Sequence, residues 1–464
     1  MSDISADPDA TFRRGTVDPL PPHPVRSRLT RLVGPLVLVL LSFVMVLVHA
    51  PQNTAMSPID EWVYVDYLGK VPTQLIVTQG EETGEFAREA IACNGVRLAL
   101  DPNPALCSEV EAGDEADDAF PMQGVTSADI YTPLYFATTW VAAQPLTWFG
   151  VGLLDAATLV GGLWLALGMV LLYSSMRLLS VGRWVAVGIG ALLIATPAAY
   201  WSSTYLSTDA PSLAVGAGLL YTALRIMTGR SGHVAFVVIA VAGVLFKVQN
   251  VAAVGLTALA LLVWSLARAR RDASESPGGR HWFVAGSLSR SVVAAVVAVF
   301  ASVAGQAVWV VIRATASSGP SPDQGVSQTF SIKSAIQESL KFLGGTSQDP
   351  TGVANSIALV VAATAVSWLS IAGVVGLVVT ARPGSPERFV SWAALVMALI
   401  AGPLLAVGVM AVSGFYFTLP VRYGISMLPA FLLCAGVLLS RNRRVGVVLT
   451  FVAAPIFIAS LLGS

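Results

Sequence analysis

The sequence predicts an all-α, polytopic membrane protein of about eleven spanning helices, and three observations carry that prediction. Of the 464 residues, 55% are hydrophobic and only 12% are charged, too few charges to coat a soluble chain of this size. The apolar residues fall in blocks of about 20, the length that crosses a ~30 Å hydrocarbon core as a helix. Lys and Arg gather on alternate connections between the blocks, as in chains that thread back and forth across a bilayer.

The blocks run 32–50, 155–178, 184–201, 210–228, 233–249, 251–268, 291–314, 354–380, 389–413, 423–440 and 445–462. Residues 31–464 therefore form one membrane domain, with almost nothing left for a soluble one. Residues 1–30 are polar, Pro-rich and basic, and are expected to be a disordered tail. No convincing small-residue cleavage site follows His49-Ala50, so 32–50 is read as an uncleaved anchor rather than a signal peptide. Arg13, Arg14, Arg26, Arg28 and Arg31 open a series that continues at every second connection, placing 19 of the 27 basic residues on one side. The positive-inside rule makes that side cytoplasmic, in the plasma membrane. The N-terminus is then inside, and an odd helix count puts Ser464 outside.

The first connection, 51–154, is the longest and falls outside. It carries 15 acidic and three basic residues (Lys70, Arg88, Arg97), a net charge of −12. EFAREAIACNGVRLAL (85–100) has helical apolar spacing, whereas EVEAGDEADDAFP (109–121) reads as a solvated acidic tip. The tip lacks the Gly-punctuated pattern of a calcium loop, and its carboxylates leave a divalent metal open as a cofactor without demanding one. Cys93 and Cys107 both lie in this connection, where the compartment permits a disulfide; the alternative is two free thiols. Cys434, within an apolar block, reads as a small packing residue. YTPLYFATTWVAAQPLTWFG (131–150) is apolar enough to span, yet spanning would put Arg177 and Arg183 outside. Its prolines, tyrosines and tryptophans fit a helix lying in the interface plane. A second external connection, 315–353, contains an amphipathic helix candidate, SIKSAIQESLKFLGG (331–345). No internal repeat is evident.

Candidate chemistry gathers at the outer ends of the blocks. In NTAMSPIDEWVYVDYLGKVP (53–72), Asp60, Tyr64 and Tyr67 share a helix face at i, i+4 and i+7, presenting a carboxylate and two phenols to one pocket. The same stretch also reads as an ordinary helix start, with Ser57 as N-cap, Pro58 at N1 and acids in the first turn. Asp209 in YLSTDAPSL, Lys247 in VLFKVQN and Arg422 in FYFTLPVRYGISMLP stand at the same boundary. Asp209 can simply cap its helix, and Lys247 can snorkel. Arg422 runs against the positive-inside bias, and every comparable boundary position is neutral except Arg313. The block centres hold no Asp, Glu, Lys or Arg. A transporter or lipid flippase would line a path with such groups, so the reactive zone is expected at the external boundary.

In their order and sidedness, SPIDEWVYVDY after the first block, YTPLYF late in the first loop, the acid Asp209 and RYGISMLP near the C-terminus resemble the GT-C superfamily of polyprenyl-phosphate-sugar-dependent glycosyltransferases. The resemblance covers most of the chain. It implies inverting transfer of one sugar from a polyprenyl-phosphate donor to an extracytoplasmic hydroxyl on a glycan, lipid or protein, in cell envelope biosynthesis. Asp60 would be the base, with Glu61 and Asp209 as supporting acids, and Lys247 and Arg422 with Tyr423 would hold the donor phosphate. The family pattern has His four residues after the Asp and a later His-Pro-Pro-Leu-Tyr. Here those places hold Tyr64 and Tyr131-Thr132-Pro133-Leu134-Tyr135, so Tyr64, Tyr131 and Tyr135 become the expected substrate contacts. The chemistry independently asks for such groups: a base for the acceptor hydroxyl and cations for the departing phosphate. A lipid-linked glycan polymerase or ligase is the alternative enzyme, though its largest loop usually lies between later helices. Membrane lipids are expected partners and nucleic acid is not.

Overall fold

The structure is a computed structural model that describes residues 28–97, 106–112, 117–275, 290–322, 325–351 and 356–462. The expected tail up to residue 27, and residues 113–116 of the acidic tip, lie outside the described residues. Of the described residues, 28–33 belong to one unit and those from Gly34 onward to a second. The described residues contain helices and no strand. In chain order these are α1 (Arg28–His49), α2 (Glu61–Lys70), α3 (Glu85–Asn94), α4 (Cys107–Ala112), α5 (Pro133–Thr147), α6 (Leu153–Leu178), α7 (Arg183–Ile194), α8 (Pro197–Ser203) and α9 (Ser212–Met227). They continue as α10 (His233–Phe246), α11 (Val251–Glu275), α12 (Arg290–Thr315), α13 (Ile332–Gly345), α14 (Ile357–Thr380), α15 (Pro386–Ser413), α16 (Leu428–Leu439) and α17 (Arg443–Leu462).

Among the described residues, eight helical segments are long and apolar enough to cross a membrane, which makes the chain a multi-pass membrane protein. The other three apolar blocks differ from the even spans the sequence predicts. Block 184–201 breaks into α7 and α8, bent by 63°. Pro197 explains the break: it lacks an N–H and its ring excludes the preceding turn, while Thr196 Oγ1 caps α8 by accepting from Ala199 N at 3.3 Å. Block 210–228 becomes α9, which starts only after Pro211, and block 233–249 ends as α10 at Phe246. Lys247 is extended there (φ −159°, ψ 124°), so the chain leaves the helix at the cation. The expected eleven thus resolve into eight long segments, one broken pair and two short helices.

The centre of the bundle lies around α6, α7, α9 and α16. By contrast, α12, α14 and α17 present large apolar side chains outward, among them Phe300, Trp368 and Phe451. Apolar contact between helices gains little in lipid, so close backbone approach at small residues carries the packing. A side chain on Gly216 of α9 would collide with the Ser426 carbonyl, and one on Gly402 of α15 with the Glu338 carbonyl. The first contact seats the 3-10 segment Val421–Met427 against α9. The second seats α13 on α15.

The first long connection builds a smaller apolar core, in which Tyr67 of α2 stacks on Phe136 of α5 at 4.2 Å. Helix α5 has 15 residues and rises about 22 Å, short of the ~30 Å needed to span. A disulfide joins Cys93 at the end of α3 to Cys107 at the start of α4, with Cα atoms 4.5 Å apart. That hairpin meets the stretch after α1: Met56 N donates to Gly95 O and Arg97 N to Met56 O, each at 2.9 Å.

Candidate active site

Residues 57–61 fold differently from the expected helix start. Ser57 does not cap: its Oγ accepts from Ile59 N at 3.1 Å within a turn, and α2 begins only at Glu61. Asp60 takes the left-handed conformation (φ 60°), which Asp tolerates better than most residues, and its side chain makes no capping bond. Its carbonyl alone receives the first helical N–H groups, from Val63 and Tyr64. The carboxylate is therefore released from local duty and points elsewhere.

It points at Arg422. Asp60 Oδ2 accepts from Arg422 Nη2 at 2.7 Å, across 362 residues of sequence. The Arg422 Nε lies 3.7 Å from Asp209 Oδ2, and Asp209 Oδ1 lies 2.6 Å from Lys247 Nζ. Four charges on four separate segments thus form one chain, Asp60, Arg422, Asp209, Lys247. Tyr423 lies under both cations, its ring centroid 5.6 Å from Lys247 Nζ and 5.8 Å from the Arg422 guanidinium carbon. Exposure ranks the members: the Asp60 side chain is 38% exposed, against 11% for Arg422, 4% for Asp209 and 3% for Lys247, so Asp60 is the one open to an approaching molecule. Asp209 does not cap α9 through its side chain, and Lys247 does not snorkel. Both expected alternatives are corrected because each group has found its counter-ion inside. Burying charges sacrifices several kcal/mol of hydration per ion, and apolar residues of similar volume often serve stability as well or better. Stability alone therefore gives no reason for the cluster.

The three expected tyrosines flank it. Tyr64 and Tyr131 place their hydroxyls 3.4 Å apart, and Tyr64 also meets Thr208, next to Asp209. Burial pushes both phenols well above their ordinary range, with Asp60 adding for Tyr64 and Tyr64 adding for Tyr131, so both stay protonated donors. Tyr135 is turned to Thr139 and the Ser207 backbone, one segment back from the charges. Tyr67, expected beside Asp60 and Tyr64, is instead bonded to Leu75 O at 3.1 Å. The i, i+4, i+7 face fails because Asp60 precedes the helix.

Glu61, expected as a supporting acid, stands apart from the cluster. It is buried and takes no part in the charge chain; its Oε2 accepts from Ser57 N at 2.5 Å and its Oε1 from Leu206 N at 2.7 Å. Burial raises its carboxyl to about 7 against the pull of those two N–H groups. Both oxygens are needed as acceptors, and a Gln amide offers only one. Glu61→Gln should leave a buried N–H unpaired and cost about 1–3 kcal/mol. We expect its melting temperature and activity to fall together in detergent. A stable Glu61→Gln that lost only turnover would return Glu61 to the chemistry.

Arg313, which the sequence sets at the same boundary as Arg422, is spoken for elsewhere, with its Nε 2.5 Å from buried Asp129. A narrow cleft lined by Ile59, Trp201, Ser202, Asp209, Gln348 and Arg422 reaches two members of the cluster, Asp209 and Arg422. Trp201 stacks on Tyr205 at 5.1 Å and donates Nε1 to Asp349 at 3.0 Å. Sequence reasoning passed over these residues; the only local signal is that Trp201 and Tyr205 precede Asp209 at the same boundary. A wider hollow lined by Glu81, Glu82, Thr83, Glu85, Arg88 and Asp117 lies elsewhere in the first connection. Its one cation is tied to Asp117 at 2.6 Å, and its acidic wall would repel an anionic substrate. Among the described residues no three His, Cys, Asp or Glu side chains converge as metal ligands would. No protein-family model, curated protein or solved structure matches this chain.

Proposed function

We propose that the chain is an integral membrane glycosyltransferase that moves a sugar from a polyprenyl phosphate to an extracytoplasmic acceptor hydroxyl with inversion. The observation that carries this reading is the Asp60, Arg422, Asp209, Lys247 chain, which combines an accessible carboxylate with two buried cations, of which Arg422 lines a narrow cleft. Asp60 takes the proton of the acceptor hydroxyl as its oxygen attacks the anomeric carbon. The bond from that carbon to the phosphate oxygen breaks, and the electron pair leaves with the phosphate. One displacement from the opposite face inverts the centre. Arg422 and Lys247 hold the departing phosphate, and a preorganised donor of this kind contributes about 3–4 kcal/mol to the transition state. Asp209 keeps both cations charged and in place, while Tyr64 and Tyr131 offer hydroxyls to the substrates. In this reading the N-terminus is cytoplasmic, the site faces outward, α5 lies in the interface, and the polyprenyl tail lies among the helices.

The purified protein in proteoliposomes, given a panel of radiolabelled polyprenyl-phosphate sugars with crude cell-envelope acceptor, should release polyprenyl phosphate and label the acceptor with inverted anomeric configuration. Binding of polyprenyl phosphate without turnover of any sugar in the panel would instead favour a lipid carrier role.

A further inference from the structure

Apart from the four charges, α13 buries a carboxylate whose partners lead back to the arginine. Glu338 of α13 is 0% exposed. Its Oε1 accepts from Tyr416 Oη at 2.8 Å, from Leu419 N at 3.0 Å and from Lys341 Nζ at 2.9 Å. Lys341 Nζ in turn donates to Leu419 O at 2.6 Å. The segment so gripped, Tyr416–Leu419, ends three residues before Arg422. Two further contacts join the same pieces: Gln328 N donates to Tyr416 O at 2.7 Å, and Phe330 meets the Tyr416 ring edge-on at 5.0 Å.

The far end of α13 backs the arginine from the other side. Any side chain on Gly424 would collide with Thr346, and one on Gly345 would come within 3.1 Å of Val421. Helix α13 is itself seated on α15 at Gly402. Arg422 thus rides on a short non-α segment that α13 holds before and behind, while α9 packs on it at Ser426. A carboxylate buried at this depth loses its hydration and leans on its charged and hydrogen-bonding partners; Oε1 takes three hydrogen bonds and Oε2 faces only the Lys341 ammonium at 2.9 Å. Here every one of them goes to the Arg422-bearing segment or to the lysine that shares it.

We propose that Glu338 is a positioning residue for Arg422: by clasping Tyr416–Leu419 it sets where the guanidinium meets the donor phosphate. The inference rests on the reading that Arg422 holds that phosphate. A displacement of about 1 Å at a reacting group is enough to lower catalysis about a hundredfold, and nothing else on Arg422's own segment forms ion pairs that would hold it.

The test is a double-mutant cycle on binding of a short-chain polyprenyl phosphate, titrated by intrinsic tryptophan fluorescence in detergent. Glu338→Ala should weaken binding about tenfold. Glu338→Gln keeps an acceptor for Tyr416 and Leu419 and should recover to within about threefold of wild type. In the Arg422→Ala background, Glu338→Ala should change affinity less than twofold, because its effect passes through the missing guanidinium. An equal tenfold loss in both backgrounds would make Glu338 a general structural residue and overturn the proposal, as would wild-type binding by Glu338→Ala. If Glu338→Ala does not fold, Tyr416→Phe removes one bond of the clasp and is put through the same cycle, with a two- to threefold loss expected only when Arg422 is present. Wild-type binding by Arg422→Ala alone would show instead that the phosphate seat is elsewhere, a failure of the functional reading rather than of the clasp.

Discussion

Asp60→Asn is expected to abolish glycosyl transfer and yet bind polyprenyl phosphate about tenfold more tightly than the wild type. The first half follows from the base role, since an amide cannot take the acceptor's proton. The second half follows from the ion pair. The Asp60 carboxylate occupies Arg422 Nη2 at 2.7 Å, the place where the proposed reading seats the donor phosphate. Donor binding has to exchange one anion for the other, and the Asn variant offers an unengaged guanidinium fork. Charge-assisted hydrogen bonds are worth about 1.5–3 kcal/mol each, so removing the competitor gains about one power of ten. The substitution is mild for the fold, because the Asp60 side chain caps nothing and Asn also tolerates a φ of 60°. Melting in detergent and polyprenyl phosphate titration give the two readouts. Full turnover by Asp60→Asn would remove it as the base; loss of turnover with weakened lipid binding would mean that Asp60 only holds Arg422.

The two cations should fail in different ways. Arg422→Lys should lower donor efficiency about a hundredfold, because a single ammonium reproduces neither the paired bonds nor the planar fork. It should leave stability nearly unchanged, since Asp60 turns to water and Asp209 keeps Lys247. Lys247→Ala strips buried Asp209 of its 2.6 Å partner, leaving only the Arg422 Nε at 3.7 Å. Breaking a buried pair from one side costs about 3–5 kcal/mol. This variant should therefore melt well below the wild type, and the double variant Lys247→Met with Asp209→Asn should recover most of the loss while staying inactive. Initial rates against donor concentration at fixed acceptor separate the cases, with acceptor dependence unchanged in Arg422→Lys. An Arg422→Lys enzyme with normal donor dependence would reduce the arginine to an anchor.

The all-helical class and the rank of the charged residues were legible in the sequence for the same reason. An apolar block fixes the depth of whatever stands at its ends, so Asp60, Asp209, Lys247 and Arg422 can be placed at one boundary without knowing which helices touch. Identity at that boundary could be read; direction could not. Adjacent Asp60 and Glu61 look alike as a pair of acids, yet one faces Arg422 and the other staples Ser57 to Leu206. The helical spacing of Asp60, Tyr64 and Tyr67 presumed a helix that the left-handed Asp60 interrupts, and that turn is held by partners far along the chain. Pro197 stood in plain view in the block 184–201, but a hydropathy window weighs composition and does not register the N–H that proline lacks. Glu338 gave no signal at all beyond an amphipathic helix. Its three hydrogen bonds reach Lys341 nearby and residues 78 and 81 positions away. Composition and periodicity set class, depth and residue type because these are local in the chain. Which side chain finds which counter-ion was decided only when the helices packed, since buried charges take the partners that the fold brings within reach.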